Sequence, residues 1–386
     1  MSLQELQELE RSYAIGTYVR NPVEFVRGEG VNLYDDEGNE YLDFLAGIGV
    51  LNVGHCHPRV VKAVRKQAAR LTHVSNLYYT EPAMRLSKAL TDGSLGGKVF
   101  LSNSGAEANE AAIKLARRAK PGGDIVVLRD GFHGRTYGAL SATPQEAKQA
   151  PFAPLVPGFV TVAKDPGALA AAVSDTTAAI LLEPIQGESG VQMISDELLL
   201  VARKACDNHG AALIFDEVQT GMGRTGSMWA YQQTPVVPDA LTTAKALGGG
   251  LPIGALITGA RLADVLQPGD HGSTFAGGPV ACVAALEAIA ICSDHKLLRS
   301  VVELGERLTG SLAEVPFVAS VRGRGLLVGV DLLEGVSAVE IARRALLEQR
   351  LVINATGPQT LRFEPPLTVT GQQIDEAVSR LSKLRP

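Results

Sequence analysis

Long apolar segments are missing from this sequence. No uninterrupted apolar run in the 386 residues approaches the roughly 20 residues that a membrane-spanning helix needs. The polar stretch Ser2–Glu10 lacks the basic start and the apolar core of a signal peptide. We therefore expect a cytoplasmic protein that does not contact a membrane.

Blocks of like charge and metal-binding cysteine patterns are also missing. The net charge is −5, and charged residues make up 20% of the chain. This composition is not typical of proteins that bind nucleic acid. The four cysteines have neither CxxC nor metal-ligand spacing, so the sequence predicts small buried thiols in a reducing compartment and no metal site.

Short apolar runs alternate with helical stretches between residues 99 and 278. The runs are Val99–Leu101, Ile125–Leu128, Ala178–Leu182 and Ala211–Phe215. Such strands, apolar on both faces and separated by helices, indicate a mostly parallel sheet covered on both sides. Ligands of these sheets bind outside the carboxyl ends of the strands.

Two further regions flank the predicted sheet. The N-terminal region reads as a helix, an extended arm and a hairpin that turns at Asp35–Asn39. The region after Gly278 alternates helical and strand patterns, which indicates a smaller α+β domain. We predict an arm at residues 1–45 that packs on the small domain, a large domain at 46–280 and the small domain at 281–386.

A single lysine, Lys245, lies between an apolar run and the glycines Gly248–Gly250. A lysine becomes a nucleophile when its amine is neutral in a partly desolvated pocket, or when it is stored as a Schiff base with an aldehyde cofactor. The glycines would let the backbone close on a flat ligand. A surface lysine before a glycine turn is the alternative, and motifs elsewhere in the chain decide between the two.

The segment after the strand at Val99–Leu101 has the pattern of a helix start. Ser104 and Glu107 fit a capping box, and Gly105 opens the helix. The free backbone N–H groups of such a start bind phosphate monoesters, although a capped helix can also bind nothing. Because the Lys-Ser/Thr pair of a nucleoside triphosphate loop is missing, a small monophosphate is the better prediction.

Three more strand ends carry polar or aromatic side chains. Phe132 is suited to stack on a planar cofactor and Arg135 to hold a carboxylate, although core packing and a surface position are the alternatives. Glu183 and Glu188 bring two carboxylates to the expected cleft. Asp216 ends the strand Ala211–Phe215, where a carboxylate is costly unless it meets a positive partner such as a protonated pyridine nitrogen.

Together these motifs resemble the class III, fold-type-I pyridoxal-phosphate aminotransferases over nearly the whole chain. The matching segments are Asn103–Asn109, Phe132–Thr136, Glu183–Glu188, Asp216–Gly221, Ala244–Gly250 and Gly272–Phe275. The resemblance implies an α/β fold with a large domain, whose mostly parallel mixed sheet is covered by helices. It also implies a smaller α+β domain built from the C-terminal region and the N-terminal arm, and pyridoxal 5′-phosphate as cofactor.

The resemblance further implies which residues bind the cofactor. They would be Ser104, Gly105, Ala106, Phe132, Asp216, Glu217, Val218, Gln219, Lys245 and Thr274. Lys245 would hold the cofactor through an imine and Asp216 would pair with the pyridine nitrogen, so these two are the predicted catalytic residues. Thr274 would reach the phosphate from the neighbouring subunit, which implies a homodimer with shared active sites.

The substrate-binding residues implied by the resemblance are Arg135, Glu188, Ser273 and Arg362. Arg362 would hold a carboxylate of 2-oxoglutarate or glutamate. Arg135, with Ser273 beside it, would hold the carboxylate of the amino-acid substrate. Glu188, paired with Arg362, would mask that arginine while a substrate with a terminal amine binds.

We therefore expect transfer of the terminal amino group of N2-acetylornithine to 2-oxoglutarate, in arginine biosynthesis. Ornithine, 4-aminobutyrate and a carrier-linked lysine precursor stay open as donors. An aminomutase of the same fold would need no 2-oxoglutarate. A binding protein on this scaffold would show no turnover, but the presence of Lys245 and Asp216 argues against it.

Overall fold

The computed structural model describes residues 1–385. The α-helices are α1 (Leu3–Tyr13), α2 (Ala46–Gly49), α3 (Pro58–Ala68), α4 (Glu81–Asp92), α5 (Gly105–Ala119), α6 (Tyr137–Ser141), α7 (Glu146–Gln149), α8 (Pro166–Ala172), α9 (Asp196–His209), α10 (Pro279–Cys292), α11 (His295–Ala313), α12 (Ala338–Gln349) and α13 (Gly371–Ser382). None of the helices within this range is both long and apolar enough to cross a membrane.

The β-strands form four sheets within the described range. The strands are β1 (Phe25–Glu29), β2 (Asn32–Asp35), β3 (Glu40–Asp43), β4 (Gly96–Ser102), β5 (Asp124–Leu128), β6 (Phe159–Val162), β7 (Thr177–Leu182), β8 (Ile185–Gln186), β9 (Gln192–Met193), β10 (Ala212–Asp216), β11 (Ala240–Thr243), β12 (Gly254–Gly259), β13 (Val318–Arg324), β14 (Leu327–Leu332), β15 (Leu351–Val352), β16 (Asn354–Ala355) and β17 (Thr360–Phe363).

The largest sheet has the strand order β4-β12-β11-β10-β7-β5-β6. Neighbouring strands from β11 to β6 are parallel, and β12 runs antiparallel to both of its neighbours. Ile180 and Leu182 of β7 pack into a core shared with α9, and Leu181 between them packs into a separate core shared with α5. Because helices cover both faces, every residue of β7 and β10 is buried. The predicted mostly parallel mixed sheet is confirmed.

This topology places one set of loops together. The segments that follow β4, β5, β7, β10 and β11 begin at Asn103, Arg129, Glu183, Glu217 and Ala244. Because the carboxyl ends of parallel strands meet at the same edge of a sheet, these loops line a common rim.

The N-terminal hairpin is joined to the C-terminal region. Strand β15 pairs in parallel with β3, with Leu351 opposite Leu42. A further sheet, in the order β13-β14-β17-β16, and helices α11 to α13 complete this part of the molecule. Helix α1, in contrast, buries none of its residues. The domain boundaries at residues 45 and 280 stay predictions, and the predicted end at residue 386 lies outside the described residues.

The cysteine prediction holds for three thiols and is wrong for the fourth. Cys206, Cys282 and Cys292 are buried, and burial raises the pKa of each thiol to about 12. Cys56 is exposed because it lies in the loop before α3, where its φ of 50° turns the chain along the surface.

Candidate active site

A cavity of about 540 Å³ opens at the carboxyl edge of the large sheet. Most of the predicted site residues line it, namely Ser104, Gly105, Ala106, Phe132, Arg135, Glu188, Asp216, Val218, Gln219 and Lys245. The structure therefore brings together side chains from five strand ends that are far apart in the sequence. Glu217, Ser273, Thr274 and Arg362 are not part of the lining.

Helix α5 starts at the cavity wall. Ser104 caps it, because its Oγ accepts a hydrogen bond from the backbone N of Glu107 at 3.2 Å. The carboxylate of Glu107 accepts instead from the backbone N of Asn103 at 2.7 Å, so only half of the predicted capping box forms. The first N–H groups of a helix have no partner inside it, and those of Gly105 and Ala106 are therefore suited to bind an anion.

Gly105 permits a close approach of two parts of the wall. A Cβ at this position would lie 2.8 Å from Cγ1 of Val218, which is closer than two carbon atoms can approach. Only glycine therefore lets the start of α5 lie against Val218, which follows β10. The start of α5 and the segment after β10 therefore meet in this part of the cavity wall.

The side chain of Asp216 is held in place by three partners at the end of β10. Its Oδ2 accepts from Nδ2 of Asn109 at 2.7 Å and lies 2.8 Å from Nδ1 of His133, and its Oδ1 accepts from the backbone N of Val218. Burial opposes protonation of His133, but its hydrogen bond to Asp216 and that residue's charge outweigh burial and raise the pKa of His133.

Lys245 is placed rigidly after β11. Its φ of 41° is in the left-handed region, which a lysine adopts only where the surrounding structure holds it there. Its Nζ donates a hydrogen bond to Oε1 of Gln219. Burial lowers the pKa of Lys245, although the charges of Glu364 and Glu188 oppose the effect. A lowered pKa increases the fraction of the neutral, nucleophilic amine.

Arg362 lies behind Glu188 at the cavity wall. Its Nη1 donates to Oε1 of Glu188 at 2.8 Å, and its Nε lies 3.2 Å from Oε2 of Glu364. The side chain of Arg362 is 1% exposed and that of Glu188 is 29% exposed, so Glu188 separates the guanidinium from the cavity. Burial raises the pKa of Glu188, but the charges of Arg362, Lys245 and Lys148 and the hydrogen bond from Arg362 together outweigh burial, so the pKa is lowered overall.

Positive side chains gather around Phe132. Arg135 is exposed, and its Cζ lies 5.7 Å from the centroid of the Phe132 ring; Nζ of Lys148 lies 5.0 Å from the same centroid. The backbone N of Phe132 donates to Oε1 of Glu183 at 2.8 Å, and burial raises the pKa of Glu183 to about 7. This end of the cavity is therefore suited to a substrate carboxylate.

The side chains of three predicted site residues lie outside the cavity. The carboxylate of Glu217 is fully buried and accepts from the backbone N–H groups of Ala230 and Tyr231. The hydroxyl of Ser273 accepts from Nδ2 of Asn103 at 3.0 Å, and Thr274 is exposed to solvent. Within the single chain, neither Ser273 nor Thr274 reaches the cavity lining.

The sequence analysis missed Asn109, Lys148 and Glu364, and gave His133 no role. Glu364 directly follows the buried strand β17, so the argument that selected Asp216 would also have selected Glu364. Asn109 lies on α5 and Lys148 on α7, and neither residue directly follows a strand. Their places depend on packing between distant parts of the chain.

The arrangement fits pyridoxal 5′-phosphate. The start of α5 is suited to the phosphate, Asp216 to the pyridine nitrogen and Lys245 to the aldehyde carbon. Gly105 and Val218, which both line the cavity, are in close contact beside the start of α5.

Comparisons with known proteins agree with this chemistry. The family model described as aminotransferase class-III matches residues 16–384. The acetylornithine aminotransferase of Methanocaldococcus jannaschii is 45% identical over 395 residues, which cover 100% of this chain and 98% of the relative. The protein of the same name from Caldanaerobacter subterraneus is 46% identical over 384 residues, 96% of this chain and 97% of the relative.

Solved structures of similar proteins share the fold. The ornithine aminotransferase of Toxoplasma gondii superposes with a TM-score of 0.94 at 34% identity, covering 99% of this chain and 94% of that one. The acetylornithine aminotransferase of Elizabethkingia anophelis superposes with a TM-score of 0.88 at 33% identity, covering 99% of this chain and 98% of that one.

Proposed function

The chain belongs to the class-III aminotransferases, and we propose that it transfers the terminal amino group of N2-acetylornithine to 2-oxoglutarate. The products are N-acetylglutamate 5-semialdehyde and glutamate, as expected of an enzyme of arginine biosynthesis. The observation that carries the proposal is the ion pair between Arg362 and Glu188 at the cavity wall. The names of the relatives from Methanocaldococcus jannaschii and Caldanaerobacter subterraneus support it.

The cofactor of this family is pyridoxal 5′-phosphate, which stores the amino group between the two half-reactions and withdraws electrons from the reacting carbon. We assign its phosphate to the N–H groups of Gly105 and Ala106, and its ring to the face of Phe132. Asp216 supplies the negative charge that keeps the pyridine nitrogen protonated. His133 and Asn109 hold that carboxylate in place.

Lys245 serves as both attachment point and base. With the cofactor bound, its amine would be the attachment point for the cofactor aldehyde and, once freed by the substrate amine, would be placed to take the proton from the substrate carbon. The lowered pKa of Lys245 favours the neutral amine that these roles need. Gln219 positions the amine through its hydrogen bond to Nζ.

The two arginines divide the substrates between them. While Glu188 is paired with Arg362, no unpaired guanidinium lies near the position where the terminal amine reacts. A donor whose carboxylate is remote from that amine is therefore accepted. Arg135 then binds that remote carboxylate at the exposed end of the cavity. When 2-oxoglutarate enters, Glu188 swings away and Arg362 binds the carboxylate next to the reacting carbon in a bidentate pair.

The active unit is proposed to be a homodimer. Thr274 is predicted to bind the cofactor phosphate, yet in its own chain it is exposed and lies outside the cavity. Phe275 beside it is 69% exposed, and Leu77, Tyr78 and Tyr79 expose further apolar surface. A second copy of the chain that covers this surface would carry Thr274 and Ser273 to the neighbouring cavity.

Ornithine is the second candidate donor, because the solved structure from Toxoplasma gondii is named for it. The deciding experiment measures glutamate formed from 2-oxoglutarate with N2-acetylornithine, ornithine, 4-aminobutyrate and a carrier-linked lysine precursor. We expect the highest kcat/KM with N2-acetylornithine. A higher value for another donor would contradict the substrate, and turnover without glutamate would indicate an aminomutase.

A further inference from the structure

Glu364 has no role in the function proposed above, although it lies beside the active site. It directly follows β17 and is completely buried. A buried carboxylate is unfavourable unless it is paired and hydrogen-bonded. Masking Arg362 does not explain it, because Glu188 already performs that task at 2.8 Å.

Glu364 joins two groups of the active site. Its Oε1 accepts from Nε2 of Gln219, and its Oε2 lies 3.2 Å from Nε of Arg362. An ionised carboxylate accepts hydrogen bonds and donates none, so it fixes the nitrogen of the Gln219 amide towards itself. The oxygen of the same amide must then face Lys245, whose Nζ donates to it.

The surrounding backbone is shaped around this contact. Gly49 has a φ of 70°, and a Cβ there would lie 2.5 Å from Nε2 of Gln219 and 3.4 Å from Oε1 of Glu364. Ala46 and Ile48 in the same turn also have positive φ, which is unfavourable for residues with side chains. The unfavourable backbone of this turn therefore leaves the room that the Gln219–Glu364 pair occupies.

We propose that Glu364 is a positioning residue that joins Lys245 to Arg362 through Gln219, orienting the amide and holding the lysine amine by its negative charge. Its buried position keeps it in place when the more exposed Glu188 swings away. Arg362 and Lys245 therefore keep one constant counter-charge in both half-reactions. The inference rests on the proposed role of Lys245 as the catalytic amine.

The charge of Glu364 has a measurable consequence for Lys245. The charged groups that act on Lys245 are Glu364, Glu188, Arg362, Asp216 and Glu183. Burial is the largest influence and lowers the pKa of Lys245; among the charges, that of Glu364 opposes burial most strongly. Removing the charge of Glu364 should therefore lower the pKa of Lys245 further.

The test measures Lys245 directly in the full-length protein from which the cofactor has been removed. Acetic anhydride labels neutral amines, and peptide mass spectrometry gives the labelled fraction of Lys245 across a pH series. Glu364→Gln should move the labelling midpoint to lower pH, because the negative charge of Glu364 raises the pKa of the Lys245 amine and the amide does not. Glu364→Asp, which keeps the charge but withdraws it from Gln219, should give an intermediate midpoint.

Glu287→Gln is the matched control, since Glu287 pairs with Arg59 on the surface. Its midpoint should equal that of the unmodified protein. If Glu364→Gln does not fold, as judged by thermal melting, Glu364→Asp decides the question. A folded Glu364 variant with an unchanged or raised midpoint overturns the inference. No substrate takes part in the labelling, so a failed N2-acetylornithine assay would be a separate result.

Discussion

Lys245 is the residue on which the proposed chemistry depends, and its left-handed backbone fixes where the amine lies. Reduction of the holoenzyme with borohydride should fix the cofactor on Lys245. Lys245→Ala should lower turnover by about 10²- to 10⁴-fold or more, because the base is lost together with the attachment point. Peptide mass spectrometry and steady-state rates are the measurements. The exposed Lys98→Ala is the control, and an adduct on any other lysine contradicts the assignment.

The two arginines should separate the half-reactions. A charge-assisted pair between the buried Arg362 and a substrate carboxylate contributes about 2–4 kcal/mol, or roughly 30- to 1000-fold in apparent specificity. The exposed Arg135 should contribute less, because solvent screens its charge. Lysine does not restore the bidentate geometry. Arg362→Lys should therefore impair the 2-oxoglutarate half-reaction most, and Arg135→Lys the N2-acetylornithine half-reaction. Single-turnover rates against substrate concentration measure each half, and equal losses in both would refute the division.

Neutralising Glu188 should make the enzyme less selective among amino donors. Glu188→Gln leaves Arg362 without its mobile counter-charge, so ordinary α-amino acids should compete better as donors. The measurement is kcat/KM for glutamate formation with N2-acetylornithine in the presence of such competitors. Unchanged competition would show that Glu188 does not mask Arg362.

Glu217 should affect stability, because its carboxylate is buried among backbone N–H groups rather than in the cavity. Burial raises the pKa of Glu217 from 4.5 to about 7 in the folded chain. The unfolded chain then loses this proton first, so the folded protein should lose roughly 3 kcal/mol of unfolding free energy between pH 4.5 and 7 through this group.

Urea denaturation across that pH range tests the role of Glu217. Glu217→Gln cannot ionise, so the difference in unfolding free energy between the unmodified protein and the variant should decrease as pH rises. The other titrating groups cancel in this difference. A difference that stays constant with pH would disprove the coupling.

Helix α5 begins with the Ser104 cap, Gly105 and a first turn whose backbone N–H groups have no partner inside the helix. Gly105→Ala places a Cβ against Val218, which must push the helix start away from the cavity. We expect cofactor affinity to fall about tenfold or more, as measured by titrating the cofactor-free protein. Gly310→Ala in α11 is the control, since a Cβ there meets nothing within 4 Å. Equal affinity in both variants would argue against phosphate binding at α5.

At the scale of the whole molecule, the site is proposed to need two chains. Lys245→Ala chains and Thr274→Asp chains should each be nearly inactive, the second because a carboxylate repels the phosphate. Mixing them should restore activity, since each heterodimer contains one cavity with both native residues. If chains exchange at random, half of the dimers are mixed, and one of the two cavities in each mixed dimer is complete. The recovered activity is therefore at most about a quarter of the native activity. Proven exchange without recovery would exclude a shared site.

The sequence by itself determined the large sheet and most of the cavity lining. Apolar runs that end in polar residues are local signals, and parallel strands necessarily bring their carboxyl ends to one rim. Asp216 and the start of α5 could therefore be placed together from their positions after predicted strands, whereas Lys245 was selected because it lies between an apolar run and three glycines. The resemblance then supplied the pairing of Arg362 with Glu188, which the structure contains at 2.8 Å.

Tertiary structure alone decided which partners these residues have. Gln219 and Glu364 are 145 positions apart, and Asn109 and Asp216 are 107 apart, so no local pattern relates them. The capping pattern predicted that the carboxylate of Glu107 accepts from the backbone N–H of Ser104, but in the structure it accepts from that of Asn103. The sequence fixes which polar groups reach the rim, but hydrogen bonds between them depend on ångström-scale packing that forms only when the distant strands have assembled.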